Sequence, residues 1–365
     1  MNKRLSELQQ WLRETGTDCL FINDPGNVVY FSGFESEPHE RILGLVLFPF
    51  ADPFLFTPSL EMEDAKKGSW PFDVISYLDN EDPWAIITNE MNQRAAQLKQ
   101  LAIEKDFLTV MRHEKLAQSL EISQFIDATP KIQEMKLIKS SDEIERMKEA
   151  GKWADTALTI GFNAIKEDVS EQEIVAEIEY QLKKQGIKEM SFETMVLAGD
   201  NAASPHGTSG SRKIKKDEFV LFDLGVVHNG YTSDVTRTIA FGTPSQKAQE
   251  IYALVLEAHH AAIAAVKPGV TAGELDAIAR NIISEGGYGP YFTHRLGHGL
   301  GSSVHEYPSI MQGSNLVIQE GMCFSIEPGI YVPDIAGVRI EDCLYVTKDG
   351  CEVFTHTPTA YTSIL

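Results

Sequence analysis

The sequence predicts two domains: an α/β domain over residues 1–132 and a larger domain of helices and strand-like stretches over 133–365. Three observations predict it. The chain has 365 residues, too many for one ordinary hydrophobic core. Helix and strand signals alternate through the first 132 residues, the pattern of a small α/β domain. The character then changes at KIQEMKLIKSSDEIERMKEAGKWADTALTIGFNAI, where a long helical period begins. The junction near 132–136 is charged and carries no long Gly/Ser linker, so docked domains are expected.

In order, the first helix is expected to run to about Thr15 and stop at Gly16. DCLFIN reads as a strand, DPGN as a turn, and RILGLVLFPF as a second strand closed by ADP. NEMNQRAAQLKQLAIE reads as a helix. Ser141, followed by Asp142 and Glu143, reads as the cap of the long helix. An amphipathic helix is expected over 170–186, ending at Gly186. Two more follow over 245–267 and 271–285, with Pro268-Gly269 between them.

Composition narrows the function. Hydrophobic residues make up 43% and charged residues 23%, as in a soluble globular protein. A formal net charge of -21 repels a phosphate backbone and an anionic bilayer, which argues against nucleic-acid and membrane partners. No apolar run is long enough to span a membrane, and the N-terminus reads as an amphipathic helix and not a leader. Cys19, Cys323, Cys343 and Cys351 show no CxxC pairing, which suits buried thiols in a cytoplasmic, reducing compartment.

The most informative segment is DEFVLFDLGVVHNGYTSDVTRTIAF. Asn229-Gly230 is a strong two-residue hairpin signal, because both turn positions need positive φ. With that loop, Asp223 lies opposite Thr236, and Asp223 and Asp234 share a face as diagonal neighbours, roughly 7–8 Å apart at the backbone. Such a pair suits two cations about 3.5–4 Å apart. The parity requires that no β-bulge intervenes. An ordinary solvated acid fits poorly, since FVLF and LGVV frame Asp223 and burying an unpaired carboxylate is costly.

GMCFSIEPGIYVPDIAGVRIEDCLYV repeats this logic with Glu327 and Glu341. Two halves giving two acids each would make a pseudo-symmetric centre. Arg339 shares a face with Glu341 by the period of two, and so can orient or neutralise that carboxylate from behind. THRLGHGLGSSVHEYP adds His294, His298 and His305, with glycines on both sides of His298 that allow backbone to pack close. A neutral imidazole fits a mixed Asp/Glu/His site. His206, in NAASPHGTSG, sits in a turn-rich loop and alone would read as an ordinary exposed histidine.

Together, SFETMVLAGDNAASPHG, FDLGVVHNGYTSDVTRT, HRLGHGLGSSVHEYP, GMCFSIEPGIY and GVRIED resemble the pita-bread metallopeptidases over essentially the whole chain. The likeness is greatest to the Xaa-Pro dipeptidase (prolidase) and aminopeptidase P branch. The resemblance implies a creatinase-like α/β N-terminal domain and an α+β pita-bread catalytic domain. It implies two divalent metal ions, Mn²⁺ first and Co²⁺ or Zn²⁺ as alternatives. Their ligands would be Asp223, Asp234, His298, Glu327 and Glu341, with Asp234 and Glu341 bridging. Glu327 would be the base, His206 and His305 would contact substrate and shuttle protons, and His294 would line the same pocket. The substrates would be proline-containing dipeptides or short peptides, and the assembly a homodimer.

One position departs from the pattern. Some prolidases carry an arginine four positions after the residue matching His305, and here that position is Ser309. Arg295 is a substitute for binding the substrate carboxylate. His39, in EPHERILG beside Glu40 and Arg41, is another candidate, reaching the site of a neighbouring subunit. Arg295 and His39 read equally well as surface ion-pairing residues. Three other readings compete. A methionine aminopeptidase would lack the N-terminal domain. A creatinase-like hydrolase would act without metal. A non-catalytic peptide-binding relative would have lost ligands.

Overall fold

The computed structural model describes residues 3–95 and 97–364. It divides into two compact units, 1–135 and 136–365. The first unit is built on a mixed sheet, six-stranded among the described residues. Its order is Asp73–Tyr77, Phe54–Pro58, Gly44–Leu47, Cys19–Ile22, Gln100–Ile103, Gln124–Asp127. The central strand is apolar at every position because both its faces are covered. Leu20 and Ile22 enter one core while Cys19 and Phe21 enter the other.

Three local readings are corrected here. DPGN is not a turn: Asp24 caps a helix over Pro25–Ser32 by accepting from the Gly26 N–H, with Pro25 in the first turn. Proline lacks a donor that the first helical turn would leave unused anyway. The helix expected over 89–104 runs instead over Pro83–Arg94, capped by Asp82. Gln100–Ile103 is a strand parallel to Cys19–Ile22, where Leu101 and Ile103 are buried. Pairing on the central strand overrides the helical propensity of Leu and Ala. Met1, Asn2 and Ala96, also within expected helices, lie outside the described residues. Lastly, the long helix Ser141–Ala164 is capped by Ser140 and not Ser141, in a reciprocal box with Glu143.

The second unit pairs two helix hairpins with two sets of strands. Helices Ser141–Ala164 and Glu171–Lys184 share a core with Val220, Phe222, Leu224, Val235 and Ile239. Helices Gln246–Ala265 and Ala272–Glu285 share another with Phe324, Ile326, Val338 and Leu344. Capping boxes at Ser170/Glu173 and Thr271/Glu274 start the second helix of each pair. The two strand sets meet at one bridge, where Glu341 N–H donates to Thr236 O at 3.1 Å. The site forms at that seam. Among the described residues no helix is long and apolar enough to cross a membrane.

Candidate active site

The Asp223–Asp234 geometry follows from the hairpin. Asn229 and Gly230 have φ of 50° and 77°, and His228 pairs with Tyr231. Asp223 lies opposite Thr236, with no register shift between the Glu218–Leu224 and Val235–Phe241 strands. The period of two therefore places both aspartates on one face. In the second half, Ile326 lies opposite Asp342 and Gly329 opposite Arg339. The same register sets Glu327 against Glu341. Close backbone approach explains the glycines around His298. A Cβ at Gly297 would meet Ser325 O at 1.9 Å, and one at Gly299 would meet Tyr307 O at 2.4 Å.

The side chains converge on a cavity of about 310 Å³ lined by Asp223, Asp234, His298, Glu327 and Glu341. Glu193, His206, His294, Arg295, His305 and Arg339 complete the polar lining, and Phe192, Met195 and Pro205 supply an apolar wall. His39 belongs to the other unit, where it is exposed with φ of 54°; it is not among the residues lining this cavity.

Donor atoms of Asp234, His298 and Glu341 lie within 4.8 Å of one another. His298 Nε2 is 3.3 Å from Glu327 Oε1 and 3.5 Å from Asp234 Oδ2. Its Nδ1 lies 3.1 Å from Gly299 O, which fixes the tautomer with the proton on Nδ1 and a lone pair on Nε2 facing the acids. Burial, and then the nearby His305, push His298 down to about 3, so the ring is neutral.

The acids are held only in part. Thr236 Oγ1 donates to Glu341 Oε2 at 2.7 Å, and Ser325 Oγ donates to Glu327 Oε1 at 3.2 Å. Arg339 is divided between two acids: its ion pair is with Asp223, while it acts on Glu341 by its charge and through Thr236, whose hydroxyl accepts from Arg339 Nε at 3.1 Å. Burial alone would lower Arg339, but Tyr331, Asp223 and Glu327 outweigh it and keep the guanidinium charged. Three carboxylate oxygens, Asp223 Oδ1, Asp234 Oδ1 and Glu341 Oε1, are buried with no hydrogen-bond partner among the described residues. Burial and mutual repulsion raise Asp234 and Glu341 well above the carboxylate range. Burial pushes Glu327 up to about 7.

The pattern of Metallopeptidase family M24 matches residues 145–348 and that of the Creatinase/Prolidase N-terminal domain matches 4–138. The chain belongs to metallopeptidase family M24. It is 51% identical over 355 residues to an Xaa-Pro dipeptidase of Lactobacillus helveticus, covering 97% of this chain and 96% of that one. Its structure is similar to a prolidase from Pyrococcus furiosus, with a TM-score of 0.88, 37% identity and coverage of 96% and 99%. It is similar also to an X-Pro aminopeptidase from Thermotoga maritima, with a TM-score of 0.85, 29% identity and coverage of 98% and 99%. The fold is thus a creatinase-type N-terminal domain plus a pita-bread catalytic domain, and the chain is a metal-dependent peptidase. The residues fit divalent cations. Oxygen donors and one neutral imidazole converge, and the partnerless buried oxygens need a positive charge that the side chains around them do not supply.

Sequence reasoning missed Thr236, Ser325 and Tyr331 as supporting residues. Tyr331 accepts from Arg339 Nη1 at 2.7 Å and lies 2.9 Å from His294 Nε2. It was findable: Glu327, Gly329 and Tyr331 share a face by the period of two, as Thr236 does with Asp234.

Proposed function

We propose that this metallopeptidase hydrolyses Xaa-Pro dipeptides at a two-ion centre held by Asp223, Asp234, His298, Glu327 and Glu341. The observation that carries the reading is the convergence of buried, partnerless carboxylate oxygens on a neutral imidazole in a dipeptide-scale cavity. Asp234 and Glu341, with Asp223, His298 and Glu327, would hold the ions, and Mn²⁺ is favoured over Co²⁺ or Zn²⁺ by the hard oxygen set. Bound there, the cations would supply an activated water and polarise the scissile carbonyl.

The chain's own residues do the rest. Glu327 lines the cavity with its Oε1 3.3 Å from His298 Nε2, where its carboxylate would be the base toward the activated water. His305 stands ring-to-ring with His298, 4.4 Å between centroids, and with His206 lines the cavity where substrate would lie. Both would donate to the oxygen that gains charge. His294, pushed down to about 4 by burial and Arg339, is a neutral wall of the pocket.

Arg295 answers the Ser309 departure. Its Nη1 donates to Ser309 Oγ at 2.9 Å, so the serine braces the arginine against the cavity. A guanidinium has further donors to clamp a substrate carboxylate. That clamp favours a dipeptide over a longer chain. His39 would contribute to substrate binding across a homodimer; light scattering and a His39→Ala variant test this. Four free cysteines, three of them buried, fit a cytoplasmic setting.

The test is to assay Mn²⁺-loaded protein on Ala-Pro, Leu-Pro, Ala-Pro-Ala and Met-Ala-Ser. Release of proline from the dipeptides, with KM raised by Arg295→Ala, is the expected result. Cleavage of Ala-Pro-Ala alone would move the reading to an aminopeptidase P. Preference for Met-Ala-Ser would overturn it.

A further inference from the structure

A buried charge cluster holds the loop that carries His305, and the proposed chemistry does not use it. Residues 300–305 join the Gly297–Gly299 and Glu306–Ile310 strands. Glu306 follows His305 directly but is not among the residues lining the cavity. Its side chain is 5% exposed. Lys136 Nζ lies 2.9 Å from Oε1 and Lys139 Nζ 3.1 Å from Oε2. The Ser303 N–H and the Ser302 hydroxyl also donate to Oε1, at 3.0 and 3.1 Å.

The loop is packed onto this cluster. A Cβ at Gly301 would meet Glu306 Oε2 at 2.8 Å and Lys139 Cε at 2.9 Å. The Thr232 N–H and hydroxyl both donate to Gly301 O, at 2.8 and 3.0 Å. The anchor is itself tied down. Lys139 N–H donates to Gly321 O at 2.9 Å, and Ile138 bridges Met322 just before the Cys323–Ile326 strand. Burial pushes the Glu306 carboxyl up, but the two lysines outweigh it and hold it at about 2. Such a desolvated cluster adds little stability over apolar residues of similar size. What it supplies is a fixed position.

We propose that Glu306, anchored by Lys139 and Lys136, is a positioning residue for His305, holding its imidazole against His298 and toward the cavity. The proposal rests on the reading of His305 as a substrate-contacting group. Glu306 touches no substrate and acts through its neighbour.

The experiment compares Mn²⁺-loaded wild type, Glu306→Gln, His305→Ala and the double variant on Ala-Pro, with Lys139→Met and Lys139→Arg beside them. Glu306→Gln should lower kcat about 10–100-fold, the cost of a small misplacement. KM should move less than kcat, and metal stoichiometry should stay at the wild-type value. In the His305→Ala background the same change should cost nothing further, because its route to the substrate is gone. Lys139→Met should lower kcat and Lys139→Arg should restore it. These two carry the test, in the same His305→Ala background, should Glu306→Gln not fold. Losses that multiply in the double variant, or wild-type kcat with only melting temperature or metal content reduced, would overturn the proposal. Full activity in His305→Ala would remove the reading of His305 and the proposal with it. Inactive His305→Ala beside fully active Glu306→Gln would remove the positioning role alone.

Discussion

Glu341, bridged to Thr236, and Asp342, the first residue of the Asp342–Val346 strand, are consecutive and meet different surroundings. Asp342 is met by Arg237 Nη2 at 2.6 Å, the Thr355 hydroxyl at 2.7 Å and His259 Nε2 at 3.1 Å. Burial would raise its carboxyl, but Arg237 and His259 outweigh it and hold it low. Glu341 receives one neutral hydroxyl and keeps one oxygen without a partner among the described residues. Its carboxyl is driven up by burial and by Glu327 and Asp223. Away from the site the buried carboxylates are provided for: cations stand beside Asp342 and Glu306, and N–H groups donate to both oxygens of Glu104 and of Glu171. At the site the protein gives Asp223 one arginine and leaves Asp234 and Glu341 without one. That difference teaches where an external cation belongs.

The comparison can be broken most sharply by exchanging charge for amide at each residue. Glu341→Gln should reduce hydrolysis of Ala-Pro on the order of 10³-fold or more, a large share of an enzyme's acceleration. The same change should raise the melting temperature of the metal-free protein, because folding at neutral pH must protonate the raised Glu341 carboxyl and an amide carries no such cost; the gain is on the order of 1–3 kcal/mol. Asp342→Asn should do the reverse. It strands the buried Arg237 and should cost about 3–5 kcal/mol in denaturant unfolding.

A smaller change sharpens the comparison from the supporting residues. Thr236→Val removes the hydroxyl that links Arg339 to Glu341. It should weaken metal affinity about 10–100-fold in a competition titration while leaving the fold intact. Unchanged affinity would mean that Glu341 needs no orientation.

The smallest expected effect is on pH dependence without metal. Glu327 has a folded value near 7 against an ordinary value of 4.5. A carboxyl raised in this way contributes stability that is fully present below 4.5 and lost as pH rises through 7. Metal-free protein should therefore lose stability across that window, and Glu327→Gln should lessen the loss, the remainder coming from Asp234 and Glu341, which are raised too. Asp342 is lowered and has the opposite sign. Its contribution is present above its ordinary value of 3.8 and is lost as pH falls further. Thermal melts from pH 3 to 8 on both variants separate the two.

Much of the site was legible because strand parity is a strict rule. The Asn229-Gly230 turn needs positive φ at both positions, and the register it sets carries through to Asp223 opposite Thr236. Helix ends at Gly16 and Gly186 were legible for a similar reason: both have φ in the left-handed region. What was not legible depended on neighbours distant in sequence. Asp24-Pro25 can open a turn or a helix, and only packing of Val28 and Phe31 into the first-unit core selects the helix. Leu101 and Ile103 became strand residues because Cys19–Ile22 offered an edge. Parity placed Arg339 on the face of Glu341, yet side-chain reach across strands gave its ion pair to Asp223.

The central claim is that the site-face carboxylates are completed by cations from outside the chain. Its most direct test is calorimetric titration of metal-free protein with Mn²⁺ at pH 7 in buffers of different ionisation enthalpy. Two ions per chain are expected, with a heat that varies with the buffer, because raised carboxyls must release protons when the ions bind. No uptake, or uptake that survives in Asp234→Asn and Glu341→Gln alike, would contradict it.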